Sequence, residues 1–397
     1  MWQRAKLKFI ARFGYGDALP TDEAQEGPFR VFGSNGPYAS FSRPNTGTPA
    51  IIVGRKGSYG KVNWTPEPCF ASDTTFFIDS STTRHHLRWV YWLLQTLRLD
   101  EGTDEAAVPG LNRESAHDKE VTCPPRQLQY AIANYLDRET ARLDGLVAAK
   151  ERVLGLFAEK RRALITRAVT RGLDARAPLR DSGISWLGEI PAHWGTWKVG
   201  HFATIGNGST PNRDNAEYWV DGLIPWLNSS VVNQDEVTGA DQFVTEAAFR
   251  ECHLPLVKSG SVLVGITGQG KTRGQAVVLS FEATINQHLA FITPKEGVVD
   301  SWFLRWVFFA AYDFLRSISD DAGGTKGALT CEEVGALRMP LPPIDEQRAI
   351  VAHIAAATAK LDTLRSATER TIALLKERRA ALIAAAVTGQ LSIAGAA

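Results

Sequence analysis

The sequence predicts an α+β protein in which two related domains alternate with two long helices. Three observations lead to this prediction. A helical segment occurs twice, the segments that precede the two helices contain the same motifs in the same order, and each helical segment follows a Pro-Pro pair. At 397 residues the chain is long for one hydrophobic core, so two or more domains are expected. We therefore divide it into residues 1–123, 124–177, 178–341 and 342–397.

The repeated helical segment is the first of these observations. The stretch EKRRALITRAVT at residues 159–170 returns as ERRAALIAAAVT at residues 377–388, and the surrounding fifty residues are identical at close to half of their positions. The Pro-Pro pairs at 124–125 and 342–343 end the preceding extended segments, and a long stretch without proline follows each pair. Each copy therefore predicts one long helix.

Apolar residues in both copies recur at the heptad spacing of a coiled coil. The predicted seam comprises Ile132, Leu136, Leu143, Leu146, Val153, Phe157 and Leu164 in the first helix, and Ile350, Ile354, Leu361, Leu364, Leu375 and Leu382 in the second. Two such helices in one chain most simply pack against each other. We therefore expect an antiparallel coiled-coil pair with a pseudo-two-fold axis and one domain at each end.

The two domains, residues 1–123 and 178–341, contain the same motifs in the same order. Each has a glycine turn closed by proline, GYGDALP at residue 14 and GNGSTP at residue 206. Each then has an apolar strand ending in Val-Gly, a glycine-rich loop and a second apolar strand. The tetrapeptide LRWV, at residues 87 and 304, next opens an aromatic helix in both. This order predicts two divergent copies of one fold.

The glycine loop of the second domain matches the phosphate-binding pattern G-x-x-x-x-G-K-[ST], as GITGQGKT at residues 265–272. Such a loop binds phosphate because a helix begins at its Gly-Lys-Thr, whereas here AVVLS follows and predicts a strand. The loop GRKGSYGK at residues 54–61 of the first domain lacks the Ser or Thr. A P-loop nucleotide-binding enzyme is one alternative function, and a structural coiled-coil scaffold is another.

As hairpin loops, the same segments are candidates for nucleic-acid binding. Glycine allows the backbone to approach a ligand closely, basic side chains can contact phosphate or guanine, and amide or hydroxyl groups can read bases. The candidates in the first domain are Ser34, Asn35, Arg55, Lys56, Ser58, Tyr59, Lys61 and Asn63, and those in the second are Asn228, Ser229, Gln269, Lys271, Thr272, Arg273, Thr325 and Lys326. The alternative for each loop is a solvated turn or connector without a ligand.

Composition and charge exclude several other functions. The net charge of +1 gives no global basic field, so DNA binding must come from local patches. The four cysteines are far apart without metal-site spacing, which predicts free thiols in a reducing cytoplasm and no metal. We expect no membrane span, because the most apolar run, at residues 306–312, is too short. No motif such as H-E-x-x-H or G-x-S-x-G occurs, so no catalytic residue is expected.

Taken together, these features resemble the DNA-specificity subunit of type I restriction–modification systems. The resemblance is carried by TPAIIVGRKGSYGKVNW at residue 48, ISWLGEIPAHWGTWKV at residue 184 and LPPIDEQRAIVAHI at residue 341, and by their order and duplication. Two departures occur. The first domain lacks a full IPxxW preamble, at which only Trp2 hints, and its helix opens with PPRQLQ where the family has PPxxEQ.

The resemblance implies a non-catalytic subunit with two target-recognition domains, each reading one half of a split, asymmetric sequence in double-stranded DNA. The helices would set the gap between the halves and dock two adenine-methyltransferase subunits, and two motor–nuclease subunits would complete the endonuclease. S-adenosylmethionine, ATP and magnesium would belong to those partners, so no cofactor is expected in this chain. Glu159, Arg161, Glu377 and Arg379, which recur in the helix repeat, are the candidates for partner docking or helix pairing.

Overall fold

The computed structural model describes residues 2–20, 27–101, 110–268, 270–321 and 327–393. It divides into two compact units. The first unit comprises Met1–Val153 with Ala367–Ala397, and the second comprises Leu154–Ser366. Both contain helices and sheets, so the predicted α+β class is confirmed. No helix in the described part of the chain is long and apolar enough to cross a membrane.

The first unit contains two small sheets and a strand pair. Its strands are β1 (Gln3–Lys6), β2 (Gly14–Tyr15), β3 (Phe29–Gly33), β4 (Gly36–Phe41), β5 (Ala50–Gly54), β6 (Val62–Thr65), β7 (Phe70–Ala71), β8 (Thr75–Ile78) and β9 (Glu120–Cys123). The helices that begin in it are α1 (Leu7–Ile10), α2 (Leu87–Leu94), α3 (Arg113–His117) and the long α4 (Arg126–Arg171). The strands pair in the orders β2-β8-β5-β6, β4-β3-β7 and β1-β9.

The second unit is built in the same way. Its strands are β10 (Leu179–Asp181), β11 (Glu189–Pro191), β12 (Gly195–Lys198), β13 (Ala203–Asn207), β14 (Ile224–Leu227), β15 (Glu236–Val237), β16 (Phe243–Val244), β17 (Val262–Gly265), β18 (Ala276–Leu279), β19 (Thr284–Ile285), β20 (Leu289–Pro294) and β21 (Arg338–Leu341). The helices that begin in it are α5 (Glu246–Glu251), α6 (Ser301–Ala310), α7 (Tyr312–Asp321), α8 (Cys331–Ala336) and the long α9 (Ile344–Thr388). The sheet orders are β13-β20-β17-β18-β15, β16-β14-β19, β12-β21 and β10-β11.

The two domains share one strand topology. The order β13-β20-β17-β18 repeats β2-β8-β5-β6, and β16-β14-β19 repeats β4-β3-β7. In both three-stranded sheets, the central strand has one antiparallel and one parallel neighbour. In each domain, the strand before the long helix pairs with an early strand, so that Gln3 lies opposite Cys123 and Gly195 lies opposite Leu341. The duplication predicted from motif order is therefore present in the hydrogen-bonding pattern.

Each unit has a core to which both long helices contribute. In the first unit, Ile132 near the start of α4 and Val387 near the end of α9 pack with Trp89 of α2. In the second unit, Ile350 near the start of α9 and Val169 near the end of α4 are in the same core cluster. All of these side chains are buried, and burying each contributes roughly 1.5–3 kcal/mol. The ends of the helix repeat are therefore apolar because they complete domain cores.

A glycine ends each long helix against a tryptophan of a domain. Gly172 and Gly389 have φ values of +69° and +79°, which favour glycine. A Cβ at Gly172 would lie 3.0 Å from the ring of Trp194, and a Cβ at Gly389 would lie 3.1 Å from the ring of Trp2. The two tryptophans directly precede β12 and β1, so Trp2 has the position that Trp194 has in the second domain.

A buried glutamine ties each long helix to the aromatic helix of its unit. Gln129 is 1% exposed, and its Oε1 accepts a hydrogen bond from the backbone N–H of His86 at 2.9 Å. Gln347 is 0% exposed and accepts from the backbone N–H of Asp300 at the same distance. Each glutamine also donates to the first carbonyl of its Pro-Pro pair. Since His86 and Asp300 are the N-cap residues of α2 and α6, the repeated glutamine fixes where each aromatic helix begins.

The residues of the predicted seam at the start of each long helix are buried in a domain core, and at one repeated position the predicted residue is exposed. The buried residues near the start of α4 are Gln129, Ile132, Leu136, Thr140 and Leu143. Residue 147, four positions after Leu143, is half-buried, and residue 146 lies about 100° away from it around the helix. Leu146 and its counterpart Leu364 are accordingly 43% and 51% exposed.

We predict that Gln347→Ala lowers the free energy of unfolding by about 2 kcal/mol, because it leaves the Asp300 N–H without its acceptor in a half-buried site. Urea unfolding followed by tryptophan fluorescence measures this. Gln127→Ala, at an exposed position of α4, is the control and should change the free energy by less than about 0.5 kcal/mol. Equal effects of the two substitutions would contradict the anchoring role.

Candidate nucleic-acid interface and helix surface

In the first domain, the glycine loop after β5 lies beside the turn after β3. The ammonium group of Lys61 donates to the backbone and side-chain oxygens of Asn35, at 2.8 and 2.9 Å. Lys56 and Ser58 of the same loop are exposed, and Tyr59 is half-buried. The structure thus brings together Asn35 and Lys61, which the sequence places 26 residues apart, in an exposed polar group.

Two arginines stack on one exposed tyrosine next to this loop. The guanidinium carbon of Arg55 lies 5.0 Å from the ring centroid of Tyr15, and that of Arg113 lies 4.7 Å from the same centroid. Arg55 also donates to the backbone carbonyl of Asp73 at 3.3 Å. Sequence reasoning selected Arg55 but missed Tyr15 and Arg113, because nothing near them in the sequence indicates that they meet.

Two candidates in the first domain have a buried polar group. Ser34 is 8% exposed, and its hydroxyl donates to the carbonyl of Thr74 at 2.6 Å. The Nδ2 atom of Asn63 is buried and lacks a hydrogen-bond partner among the described residues. The assignment of Ser34 to DNA contact is therefore corrected, because its side chain holds the turn after β3. Asn63 belongs to β6 and is half-buried, so its role in DNA contact stays a prediction.

The P-loop-like segment of the second domain is a hairpin loop. β17 and β18 pair antiparallel on either side of it, and the Gly265 N–H donates to Gln275 at 2.9 Å. The hydroxyl of Tyr312 donates to the carbonyl of Lys271 at 3.0 Å, and Arg316 donates to that of Gly270 at 2.5 Å. A phosphate-binding loop needs backbone N–H groups at the start of a helix. Here, side chains of α7 donate hydrogen bonds to backbone carbonyls of the loop instead. This arrangement disfavours the nucleotide-binding alternative.

The neighbouring candidates in this loop have different surroundings. Arg273 is 2% exposed, so its assignment to DNA contact is corrected. A Cβ added at Gly327 would lie 1.8 Å from its Nη1, which shows how closely the chain covers it. Lys271 is exposed and Thr272 is half-buried. Gln269, Thr325 and Lys326 lie outside the described residues.

A polar cavity lies beyond the end of β14 in the second domain. It has a volume of about 310 Å³, and its wall includes Trp226, Asn228, Ser230, Asn233, Gln234, Asp241 and Gln242. The Oδ1 atom of Asn228 accepts from the Ser230 N–H at 2.9 Å, and the candidate Ser229 is half-buried between them. Beside the cavity, Arg213 donates to Gln242 at 2.8 Å. Sequence reasoning found Asn228 and Ser229 and missed the remaining residues of this group.

The arginine of each LRWV tetrapeptide is paired with an aspartate of its own unit. Arg88 donates to Asp137 of α4 at 2.8 Å. Arg305 contacts Asp235 and stacks on Trp306, with its guanidinium carbon 3.8 Å from the ring centroid. Burial lowers the pKa of Arg305 to about 10, and the Asp235 carboxylate opposes that shift. Arg305 is therefore charged at neutral pH, and these arginines serve packing of the aromatic helices.

Comparison with known proteins shows which family this arrangement resembles. The family profile for the type I restriction modification DNA specificity domain matches residues 191–372. These residues are similar to a type I specificity domain. The family resemblance predicted from the sequence is thereby confirmed, and the matched segment covers most of the second domain and about the first two thirds of α9.

Specificity subunits are also among the individual relatives. The chain is 23% identical over 287 residues to the EcoR124I/EcoR124II specificity subunit of Escherichia coli, a match that covers 70% of this chain and 64% of that subunit. It is 20% identical over 262 residues to the putative MjaX specificity subunit of Methanocaldococcus jannaschii, covering 66% and 57%. The chain thus matches less than two thirds of the length of these curated relatives.

Solved structures of the type I family share the fold. A chain solved in work on complex assembly and conformational transition of the type I R-M system superimposes with a TM-score of 0.74 at 15% identity, covering 98% of both chains. The HsdS subunit from Thermoanaerobacter tengcongensis superimposes with a TM-score of 0.55 at 16% identity, covering 98% of this chain and 97% of that one.

Within the type I specificity fold, the repeated arginines of the long helices form ion pairs between α4 and α9. Arg161 donates to Asp362 at 2.9 Å in the second unit, and Arg379 donates to Asp144 at 2.9 Å in the first. Arg161 and Arg379 occupy equivalent positions in the helix repeat, and so do Asp144 and Asp362. The same ion pair therefore occurs once in each unit. In the first unit, Lys376 also pairs with Glu151, which shows that the two helices run antiparallel there.

These contacts revise the docking candidates. Arg161 and Arg379 are engaged with the other helix, so the structure supports their role in helix pairing over partner docking. Glu159 and Glu377 are exposed and stay candidates for docking. The pairs are largely solvent-accessible, with side-chain exposures of 26–57%, so each contributes at most about 1 kcal/mol.

We predict that Arg379→Asp destabilises the first unit by up to about 1 kcal/mol, because it places two carboxylates side by side. Adding Asp144→Arg should restore the stability, since the two positions again carry opposite charges, now with the signs exchanged. Thermal unfolding and co-purification with a methyltransferase subunit measure the two effects. If the double variant regained stability but did not bind the methyltransferase, one of the two original side chains, Arg379 or Asp144, would have a docking role after all.

We also predict that Arg273→Ala and Lys271→Ala affect different properties, although the residues are only two positions apart. Arg273→Ala should lower the free energy of unfolding by about 2 kcal/mol, because a buried side chain is removed. Lys271→Ala should leave stability within about 0.5 kcal/mol and weaken DNA binding by the assembled complex. Denaturant unfolding and DNA titration separate the effects. Equal destabilisation by both would contradict the placement of Lys271 at the surface.

Proposed function

We propose that the chain is the specificity subunit of a type I restriction–modification complex and recognises a bipartite, asymmetric sequence in double-stranded DNA. The observation that carries the proposal is the duplicated topology. Both domains present polar or basic side chains after the same two strands, namely after β3 and β5 in the first domain and after β14 and β17 in the second. The match to the specificity family, at residues 191–372, connects this arrangement with DNA recognition.

The two domains would each read one half of the target. In the first domain, Arg55, Lys56 and Lys61 surround the end of β5, and in the second, Lys271 and Asn228 follow β17 and β14. Lysines on exposed loops suit phosphate contact, and amides suit base edges. Because the two loop sets differ in sequence, the halves of the target would differ, as an asymmetric site requires.

The subunit would act as an adaptor for catalytic partners. With a net charge of +1, it has little long-range attraction for DNA of its own, so partners would supply much of the electrostatic binding. We infer two methyltransferase subunits and motor–nuclease subunits, which would bring S-adenosylmethionine, ATP and magnesium, while this chain itself is not catalytic and works in the cytoplasm. Docking of two like partners is supported by exposed apolar residues at equivalent repeat positions, Leu156 and Leu374, at 59% and 65% exposure.

The proposal predicts that exchanging residues 1–123 for those of another specificity subunit changes one half of the methylated motif and leaves the other half and the spacer length unchanged. Exchanging residues 178–341 should change the opposite half. The measurement is the adenine methylome of cells expressing the chain with its methyltransferase partner. A motif without two separated halves, or a single exchange that altered both halves, would refute the two-domain reading.

A further inference from the structure

The second domain holds one arginine in a fixed orientation on an aromatic support. The guanidinium carbon of Arg213 lies 3.9 Å from the ring centroid of Trp219 and 4.6 Å from that of Trp226. The two rings meet at 87°, with centroids 5.2 Å apart. Each indole N–H donates to a backbone carbonyl of the segment that carries the arginine, at Asn212 and Ser209. The two indole rings therefore hold Arg213 in place, and the backbone just before Arg213 holds the rings.

A glutamine orients the guanidinium and connects it with the polar cavity described above. Nη2 of Arg213 donates to Oε1 of Gln242 at 2.8 Å. Both Gln242 and Trp226 belong to the cavity wall. One of the five N–H donors of the guanidinium thus sets the plane of the group, and Arg213 is an exposed residue.

We propose that Arg213 recognises a guanine in the half-site read by the second domain, donating two hydrogen bonds to its O6 and N7 atoms in the major groove. This inference rests on the proposed function. Arginine suits this contact because its planar fork matches the two acceptors of guanine. A fork held between two rings before DNA arrives loses little further rotamer freedom on binding, which favours both affinity and orientation.

The surroundings of Arg213 favour a base edge over a phosphate. Asp241 lines the same cavity, and its carboxylate repels phosphate but can accept a hydrogen bond from the amino group of cytosine. The amides of Asn228, Asn233 and Gln234 supply both donors and acceptors, as the edge of adenine requires. A phosphate contact needs only positive charge, which an exposed lysine such as Lys271 supplies without an aromatic support.

The test uses the chain assembled with its methyltransferase partner and synthetic DNA. The wild-type methylome and the domain exchange first give the motif and the half that belongs to the second domain; if no bipartite motif appears, the proposed function itself fails. Each guanine of that half, on both strands, is then replaced in turn by 7-deazaguanine, which lacks the N7 acceptor. We expect one replacement to weaken wild-type binding roughly tenfold and to have no effect on Arg213→Ala, which binds natural DNA weaker by a similar factor.

Three further variants make the result specific. Arg250→Ala is the matched control, since Arg250 is an exposed arginine of the same domain that pairs with Glu246 on its own helix. It should keep the full penalty at the sensitive guanine. Arg213→Lys should keep less of the penalty than the wild type, because an ammonium group lacks the planar fork that stacks on Trp219 and is oriented by Gln242. Gln242→Ala keeps the arginine but removes the hydrogen bond that orients its guanidinium group. It should therefore reduce the binding penalty at the same guanine. This variant provides a second readout in case Arg213→Ala folds poorly.

Several outcomes would overturn the inference. The recognised half could contain no guanine, or Arg213→Ala and Gln242→Ala could retain every penalty that the wild type shows. A uniform loss of binding on all sequences, with no guanine sensitive in the wild type, would make Arg213 a phosphate contact. In each of these cases the bipartite motif would still stand, so the proposed function would be unaffected.

Discussion

The structure depends on one constraint: neither domain has a complete core without an end of each long helix. In the first unit, Ile383, Ala386 and Val387 from the end of α9 are buried with Ile132 and Leu136 from the start of α4. The second unit repeats this with Ile165, Ala168 and Val169, which precede the former set by one repeat length. The sequence similarity of the two helix ends is therefore a consequence of packing, because each end must fit the same kind of domain.

This constraint separates the parts of the chain that can vary from those that cannot. The residues buried between helix and domain, including Gln129 and Gln347, determine where each domain is held and offer little freedom. The loops after β5 and β17 project from the sheets and contribute exposed side chains such as Lys56 and Lys271. Changes in these loops alter what a domain can contact without disturbing its core. Under the proposed function, this division would let the recognised sequence change while the surfaces for the partners stay the same.

Local and periodic features were predictable from the sequence, and contacts between distant segments were not. The Pro-Pro pairs placed the starts of both long helices within a few residues of Arg126 and Ile344, because proline ends the preceding strand and cannot continue a helix interior. The strand after the P-loop-like motif was also evident from the apolar run AVVLS. The burial of Arg273 was not, since arginine is rarely buried and the segments that cover it are distant in the sequence. The hydrogen bond between Arg213 and Gln242 escaped for the same reason, because the two residues are 29 positions apart.

The discontinuity of the first unit also has a consequence for how the chain is made. The second unit is one continuous stretch, Leu154–Ser366, whereas the first needs both the beginning of the chain and residues from Ala367 onward. During synthesis, the N-terminal domain emerges first but lacks the end of α9, including Val387, until almost the whole chain has left the ribosome. The domain translated second can therefore close its core first, and the domain translated first must wait with apolar surface uncovered, which is the kind of intermediate on which chaperones act.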